Sequence, residues 1–136
     1  MYIVSKQFTF AMGHRLSCHE GLCKNFHGHN YTVEVGVRSE ALNENGMVID
    51  FGDLKKIVND YLEKLDHALM INETDKEMVD KMGGTFNVIT VPYEPTAENM
   101  AADIYFELDQ IISKNGVFLD YVTIWETDKS KATYKE

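Results

Sequence analysis

Asn30-Tyr31-Thr32-Val33-Glu34-Val35-Gly36-Val37-Arg38 alternates apolar and polar side chains without a break. Successive side chains of an extended chain point to opposite faces, so Tyr31, Val33, Val35 and Val37 line one face while Thr32, Glu34 and Arg38 line the other. Such a stretch forms a strand with one side on a core and the other toward water. Toward the N-terminus, residues 2–11 repeat the pattern through Tyr2, Val4, Phe8 and Phe10, which predicts a first strand. Residues 13–29, between the two, read as a loop carrying four of the five histidines.

Toward the C-terminus, Asn43-Glu44-Asn45-Gly46 is a turn signal, and Met47 to Asp50 reads as the end of a hairpin-related strand. Asp50 is a suitable N-cap for a helix whose apolar stripe runs Phe51, Leu54, Ile57, Val58, Tyr61, Leu62 and Leu65. Residues 72–84 are polar and end in Gly83-Gly84, which suggests a short helix or loop, with Phe86 to Val91 a further strand. Thr96 then caps a second long helix that buries Met100, Ile104, Leu108, Ile111 and Ile112 and stops at Asn115-Gly116. From Val117 to Glu126 the alternation returns, placing Phe118, Val122, Ile124 and Glu126 on one face, and Lys131 to Lys135 is a short terminal strand. The expectation is one α+β domain over residues 1–136, an antiparallel sheet with two long helices on one face.

The net charge of −9 repels polyanions, so nucleic acid and anionic membrane surfaces are poor partners. A small anionic substrate stays compatible, because a metal ion and a few cations reverse the potential within one pocket. No apolar run approaches the roughly 20 residues that span a bilayer, and Met1 to Gln7 lack the apolar core of a signal peptide, so a cytoplasmic location is expected. In that compartment Cys18 and Cys23 are expected as free thiols.

His27-Gly28-His29 sends two imidazoles to the same side of an extended chain. A third would complete a three-histidine site that leaves one tetrahedral position open. His14 or His19 must supply it; His14 is favoured, because it closes the first strand, and an antiparallel return would bring it beside the other two. Cys23, four residues before His27, has three readings: a thiol activated as a base, a fourth ligand closing a structural site, or a small buried residue. Cys18 reads as incidental. Asp66-His67 suits a proton relay, although an acid and a histidine at a helix end are commonly a cap and a surface side chain. Glu126 stands on an otherwise apolar strand face and needs a partner, either a cation or a ligand with paired N–H donors.

Six motifs taken in order resemble the 6-pyruvoyltetrahydropterin synthase and 6-carboxytetrahydropterin synthase family: Phe8-Thr9-Phe10 with His14-Arg15-Leu16, Cys23 through Tyr31, Ile49-Asp50-Phe51, Leu65-Asp66-His67, Pro95 through Asn99, and Trp125-Glu126-Thr127. The resemblance implies zinc on His14, His27 and His29, Cys23 as proton acceptor, Asp66 and His67 as relay, and Glu126 as anchor of a pterin ring. Thr96, Arg15 and Lys24 join Glu126 as candidates on the substrate side, the two cations for a triphosphate. It also implies the tunnelling fold, in which sheets join into a barrel, two trimers form a homohexamer, and active sites lie between subunits.

The substrate implied is 7,8-dihydroneopterin triphosphate. One branch eliminates triphosphate to leave a pyruvoyl group; the other also loses acetaldehyde to leave a carboxylate, on the route to queuosine. The four-residue interval from Cys23 to His27 resembles the carboxy-forming branch. Cys18 and a longer segment over residues 71–93 depart from the family's compact bacterial members. A non-catalytic module stabilised by zinc, with Cys23 as fourth ligand, is the competing expectation from another class.

Overall fold

The computed structural model describes residues 1–84 and 87–136. The alternation at residues 30–38 is realised in strand β2 (His27–Ser39), where Tyr31, Val33, Val35 and Val37 are fully buried. Strand β1 (Tyr2–His14) pairs with it antiparallel along its whole length, from Tyr2 opposite Ser39 to His14 opposite His27. Strand β1 therefore runs two residues and β2 three residues into the segment expected as loop, and the true loop is 15–26, with a 3₁₀ turn at Leu22–Lys24.

Helix α1 (Phe51–Leu62) starts where Asp50 accepts hydrogen bonds from the N–H groups of Gly52 and Asp53, and it buries Leu54, Val58, Tyr61 and Leu62. Strand β3 (Ala68–Asn72) follows, then a short helix α2 (Lys76–Met82) with no buried residue, and strand β4 (Val88–Val91). Phe86, the expected start of that last strand, lies outside the described residues. Helix α3 (Ala97–Ile112) opens at Thr96, whose hydroxyl accepts from Asn99 N–H, and buries Met100, Ile104, Leu108 and Ile112. Strands β5 (Val117–Thr127) and β6 (Ser130–Tyr134) complete the chain.

The six strands form one sheet in the order β4-β3-β1-β2-β5-β6. The α+β expectation holds, with two corrections. The sheet is mixed, because β3 runs parallel to β1 and to β4; β3 and β4 are joined through α2, the kind of crossover that parallel neighbours need. The two long helices are α1 and α3, and the segment expected as a short helix or loop carries α2. Met47 to Asp50 carry no strand: Asn43 accepts from Asn45 and Met47 N–H, and this turn delivers the chain directly to the Asp50 cap.

Three apolar positions also fall outside their expected faces. Ile111 and Phe51 are about half exposed at the edges of their helical stripes. Phe118 faces away from Val122 and Ile124, because Gly36 pairs with Tyr121 but Val37 pairs with Leu119, leaving Asp120 as an extra residue in a β-bulge. The bulge keeps Leu119 in the core and sends Phe118 to the outer face, under the Arg38 guanidinium at 5.1 Å. Asp120, buried by the same bulge, is paired with Arg38 and Lys135 at 3.4 and 3.2 Å.

The core lies between the sheet and the helices α1 and α3, with α3 against β5 and β6 and α1 against β1. The even positions of β1 and the odd positions of β2 face it, so the same alternation that buries Phe10 and Tyr31 carries His14, His27 and His29 to the core side at one end of the sheet. No described helix is long and apolar enough to cross a membrane.

Candidate functional site

His14 ends β1, and His27 and His29 begin β2. Antiparallel pairing sets His14 directly opposite His27, with His29 two residues along on the same face. The three rings stand 4.6 to 5.2 Å apart between centroids. One nitrogen from each lies within 4.8 Å of the others. His19 is exposed in the loop, where its Nδ1 accepts from Gly21 N–H, so the third imidazole is His14, as expected.

The tautomers follow from the partners. His14 Nδ1 is 2.7 Å from the carbonyl of Pro95, and His27 Nδ1 is 2.9 Å from the carbonyl of Asn25. A carbonyl only accepts, so each Nδ1 is assigned the proton and each Nε2 carries a lone pair. These two Nε2 atoms face each other at 3.1 Å. Two lone pairs at that separation repel unless a cation lies between them or one ring is protonated. Burial first, and the neighbouring His27 as well, hold His14 below its ordinary pKa of 6.5 despite the Pro95 carbonyl and the Glu126 charge, so protonation is disfavoured.

Ligand nitrogens placed about 2.0–2.1 Å from a zinc ion stand roughly 3.3–3.4 Å apart, so small ring rotations bring this set to bonding distance. The donor set therefore fits a metal ion. The Nδ1–H contacts to Pro95 and Asn25 are the outer hydrogen bonds that orient ligating imidazoles.

Tyr31 forms the floor of the site. Its ring stacks on Phe10 at 5.1 Å and stands edge-on to His29 and His14 at 5.3 and 6.0 Å. The phenol is fully buried and its hydroxyl has no hydrogen-bond partner among the described residues. Burial, and secondarily the Glu126 charge, push it far above the usual tyrosine range. Glu126, half-buried near the end of β5, thus lies close enough for its charge to act on both Tyr31 and His14.

Cys23 sits half-exposed in the 3₁₀ turn, and its backbone carbonyl accepts from Leu16 N–H at 2.8 Å. Its sulfur is not part of the close cluster of metal-ligating atoms, which comprises the three imidazoles. Cys18 and Cys23 are both free thiols. Lys24 is exposed beside Cys23. Arg15 is turned inward instead, its Nε 2.9 Å from Asp75 Oδ2, off the line of a hydrogen bond but within an ion pair, with its guanidinium 5.9 Å from the Phe26 ring centre. Thr96 is occupied as the α3 cap.

Asp66 and His67 gather elsewhere on the chain. The Asp66 carboxylate accepts from Ala11 N–H at 2.9 Å, and the His67 N–H donates to the Ala11 carbonyl, so the pair grips both backbone groups of one β1 residue. His67 Nδ1 lies 3.0 Å from Asp66 Oδ2. The Ala11 N–H, then the His67 side chain, hold Asp66 below the usual carboxylate range. His67 has φ of +60°, a left-handed conformation costing roughly 1–2 kcal/mol in a residue with a Cβ, and the Ala11 grip maintains it. Its side chain is 82% exposed and shares a 410 Å³ concavity with Ala11, Met12, Gly13, Gly28, His29, Asn30 and Ala68. The concavity thus reaches His29, but His67 is outside the close cluster of imidazole nitrogens formed by His14, His27 and His29.

Sequence reasoning missed Glu94. Its carboxylate accepts from Ser17 N–H at 2.9 Å, from the Ser17 hydroxyl, from Asn72 Nδ2 at 3.1 Å and from Cys18 Sγ at 3.6 Å. Burial opposes its charge, but these hydrogen bonds, led by Ser17 and Asn72, leave it below the usual carboxylate range. A lone carboxylate before a proline carries no spacing signal by which it could have been found.

A mixed sheet backed by helices, with three inward imidazoles across two paired strands, defines an α+β protein whose histidine triad could hold a metal ion. The family model for 6-pyruvoyl tetrahydropterin synthase matches residues 3–136. The 6-carboxy-5,6,7,8-tetrahydropterin synthases of Haemophilus influenzae and Aquifex aeolicus are each 34% identical to the chain, covering 100% and 98% of it and 100% and 97% of their own lengths. The solved structure of Caenorhabditis elegans 6-pyruvoyl tetrahydropterin synthase superposes with a TM-score of 0.72 at 31% identity, over 100% of this chain and 97% of that one. The chain belongs to the 6-pyruvoyl tetrahydropterin synthase family, a family of enzymes.

Proposed function

We propose that the chain is a zinc-dependent lyase converting 7,8-dihydroneopterin triphosphate to 6-carboxy-5,6,7,8-tetrahydropterin, with release of acetaldehyde and triphosphate. The observation that carries this reading is the pair of opposed Nε2 lone pairs on His14 and His27 beside His29. The full-length likeness to two carboxytetrahydropterin synthases supports the carboxy product over the pyruvoyl one.

His14, His27 and His29 would hold the ion, which when bound supplies Lewis-acid polarisation of the substrate's side-chain oxygens. The orienting carbonyls of Pro95 and Asn25 keep both lone pairs on the metal side. Cys23, outside the cluster and partly exposed, would act as the proton acceptor; its place outside the cluster speaks against the closed site of a purely structural module. Glu126, anionic and near Tyr31, would accept paired N–H donors of the pterin ring and fix its register. Lys24 is the readier cation for the triphosphate, since Arg15 is engaged by Asp75.

His67, held by Asp66 and exposed, would carry the second proton. Its exposure and its place outside the imidazole cluster suit a site shared between subunits, in which His67 of one chain serves the triad of another. The proposed assembly is therefore a homohexamer of two trimers, acting in the cytoplasm.

Incubating the enzyme with 7,8-dihydroneopterin triphosphate and weighing the pterin product by mass spectrometry tests the reading. A carboxy product from wild type, lost in Cys23→Ala at unchanged zinc content, is expected. A pyruvoyl product would replace the carboxy assignment, and zinc loss in Cys23→Ala would favour the structural module.

A further inference from the structure

We infer that Glu94 is a positioning residue for the metal site, closing a ring of contacts that sets both the His14 ligand and the loop bearing Cys23. The inference rests on the reading of His14 as a zinc ligand. The ring runs from His14 Nδ1 to the Pro95 carbonyl at 2.7 Å, back one residue to the Glu94 carboxylate, and across to Ser17 N–H at 2.9 Å. Ser17 is three residues from His14, so the circuit closes on the same strand end.

The anchor is itself fixed. The Glu94 carbonyl accepts from Thr96 N–H at 2.7 Å and from Asn99 Nδ2 at 3.0 Å, which fastens it to the first turn of α3. Asn72 Nδ2 ties the same carboxylate to the end of β3 at 3.1 Å. Three elements therefore meet on one residue: the loop after β1 and the end of β3 on its carboxylate, and the start of α3 on its carbonyl.

The consequence for chemistry follows from geometry. The Pro95 carbonyl fixes the tautomer and tilt of His14, and no side-chain substitution removes that carbonyl. Glu94 is the side chain through which its position depends on the loop. The loop returns from Ser17 through the Leu16–Cys23 backbone contact at 2.8 Å, so slack at Glu94 reaches Cys23 as well. Loss of an outer contact to a metal ligand typically weakens metal affinity about 10–100-fold.

The test compares wild type, Glu94→Gln and Glu94→Ala as full-length protein, measuring zinc affinity by competition with a chromophoric chelator well below the melting temperature. Alkylation of Cys23 by iodoacetamide is followed in parallel by peptide mass spectrometry, which separates it from Cys18. Glu94→Ala should bind zinc about tenfold or more weakly and expose Cys23 to faster alkylation. Glu94→Gln, which keeps the shape and one acceptor oxygen, should recover part of both losses. Wild-type zinc affinity and Cys23 reactivity in both variants, even with a lowered melting temperature, would overturn the inference while leaving the zinc reading intact. Absence of zinc binding in wild type would overturn both.

Discussion

His14 and His27 turn their Nε2 atoms toward each other at 3.1 Å, while a backbone carbonyl holds the opposite nitrogen of each ring. The arrangement is unfavourable for two neutral imidazoles and favourable around a cation. The site is thereby shaped to accept a cation, because the strand register and the Pro95 and Asn25 carbonyls fix the two rings.

Acid should expose this tension in the metal-free protein. His14 is held below 6.5 by burial, so below that pH the unfolded chain takes up a proton that the folded chain refuses. Stability is then lost as pH falls through the folded value. Urea midpoints of metal-free wild type should decline between pH 7 and 5.5, and His14→Asn should show a shallower decline. Equal slopes would contradict the assignment.

Tyr31 gives a prediction of opposite sense. Its buried hydroxyl finds no partner among the described residues, and an unmade buried hydrogen bond costs about 1–3 kcal/mol. Tyr31→Phe keeps the stacking on Phe10 and removes the unpaired group, so its melting temperature should match or exceed that of wild type. A clear drop in calorimetry would show that the hydroxyl is bonded in solution.

His67 stands outside the close cluster of His14, His27 and His29. His67→Ala should therefore leave zinc content unchanged while lowering turnover by about 10²–10⁴-fold, the usual span for a lost general acid or base. Refolding it together with Cys23→Ala should restore part of the activity if each site draws on two chains. Mixtures that stay as inactive as either parent would contradict the shared site.

Much of this was legible in the sequence because it depends on parity. Alternation at residues 30–38 placed Tyr31 and Val33 inward, and the same count of two carried His27 and His29 to that side. Asp50 and Thr96 declared their helices by capping chemistry. Strand β3 escaped notice because Ala68-Leu69-Met70-Ile71-Asn72 is almost wholly buried, and a short buried parallel strand has no alternation to display. Without β3 the sheet read as antiparallel. The Asp120 bulge was hidden for a related reason: one inserted residue breaks parity without altering composition, and Phe118 changes face. At the site, the contacts that orient the ligands come from the carbonyls of Pro95 and Asn25, and backbone atoms leave no signature in residue identity.

The central claim is most directly tested by metal stoichiometry. Elemental analysis by plasma mass spectrometry of purified wild type, His14→Ala, His27→Ala and His29→Ala should find one zinc per wild-type chain and loss of most of it in each variant. Wild type without metal, or variants that retain it in full, would contradict the account.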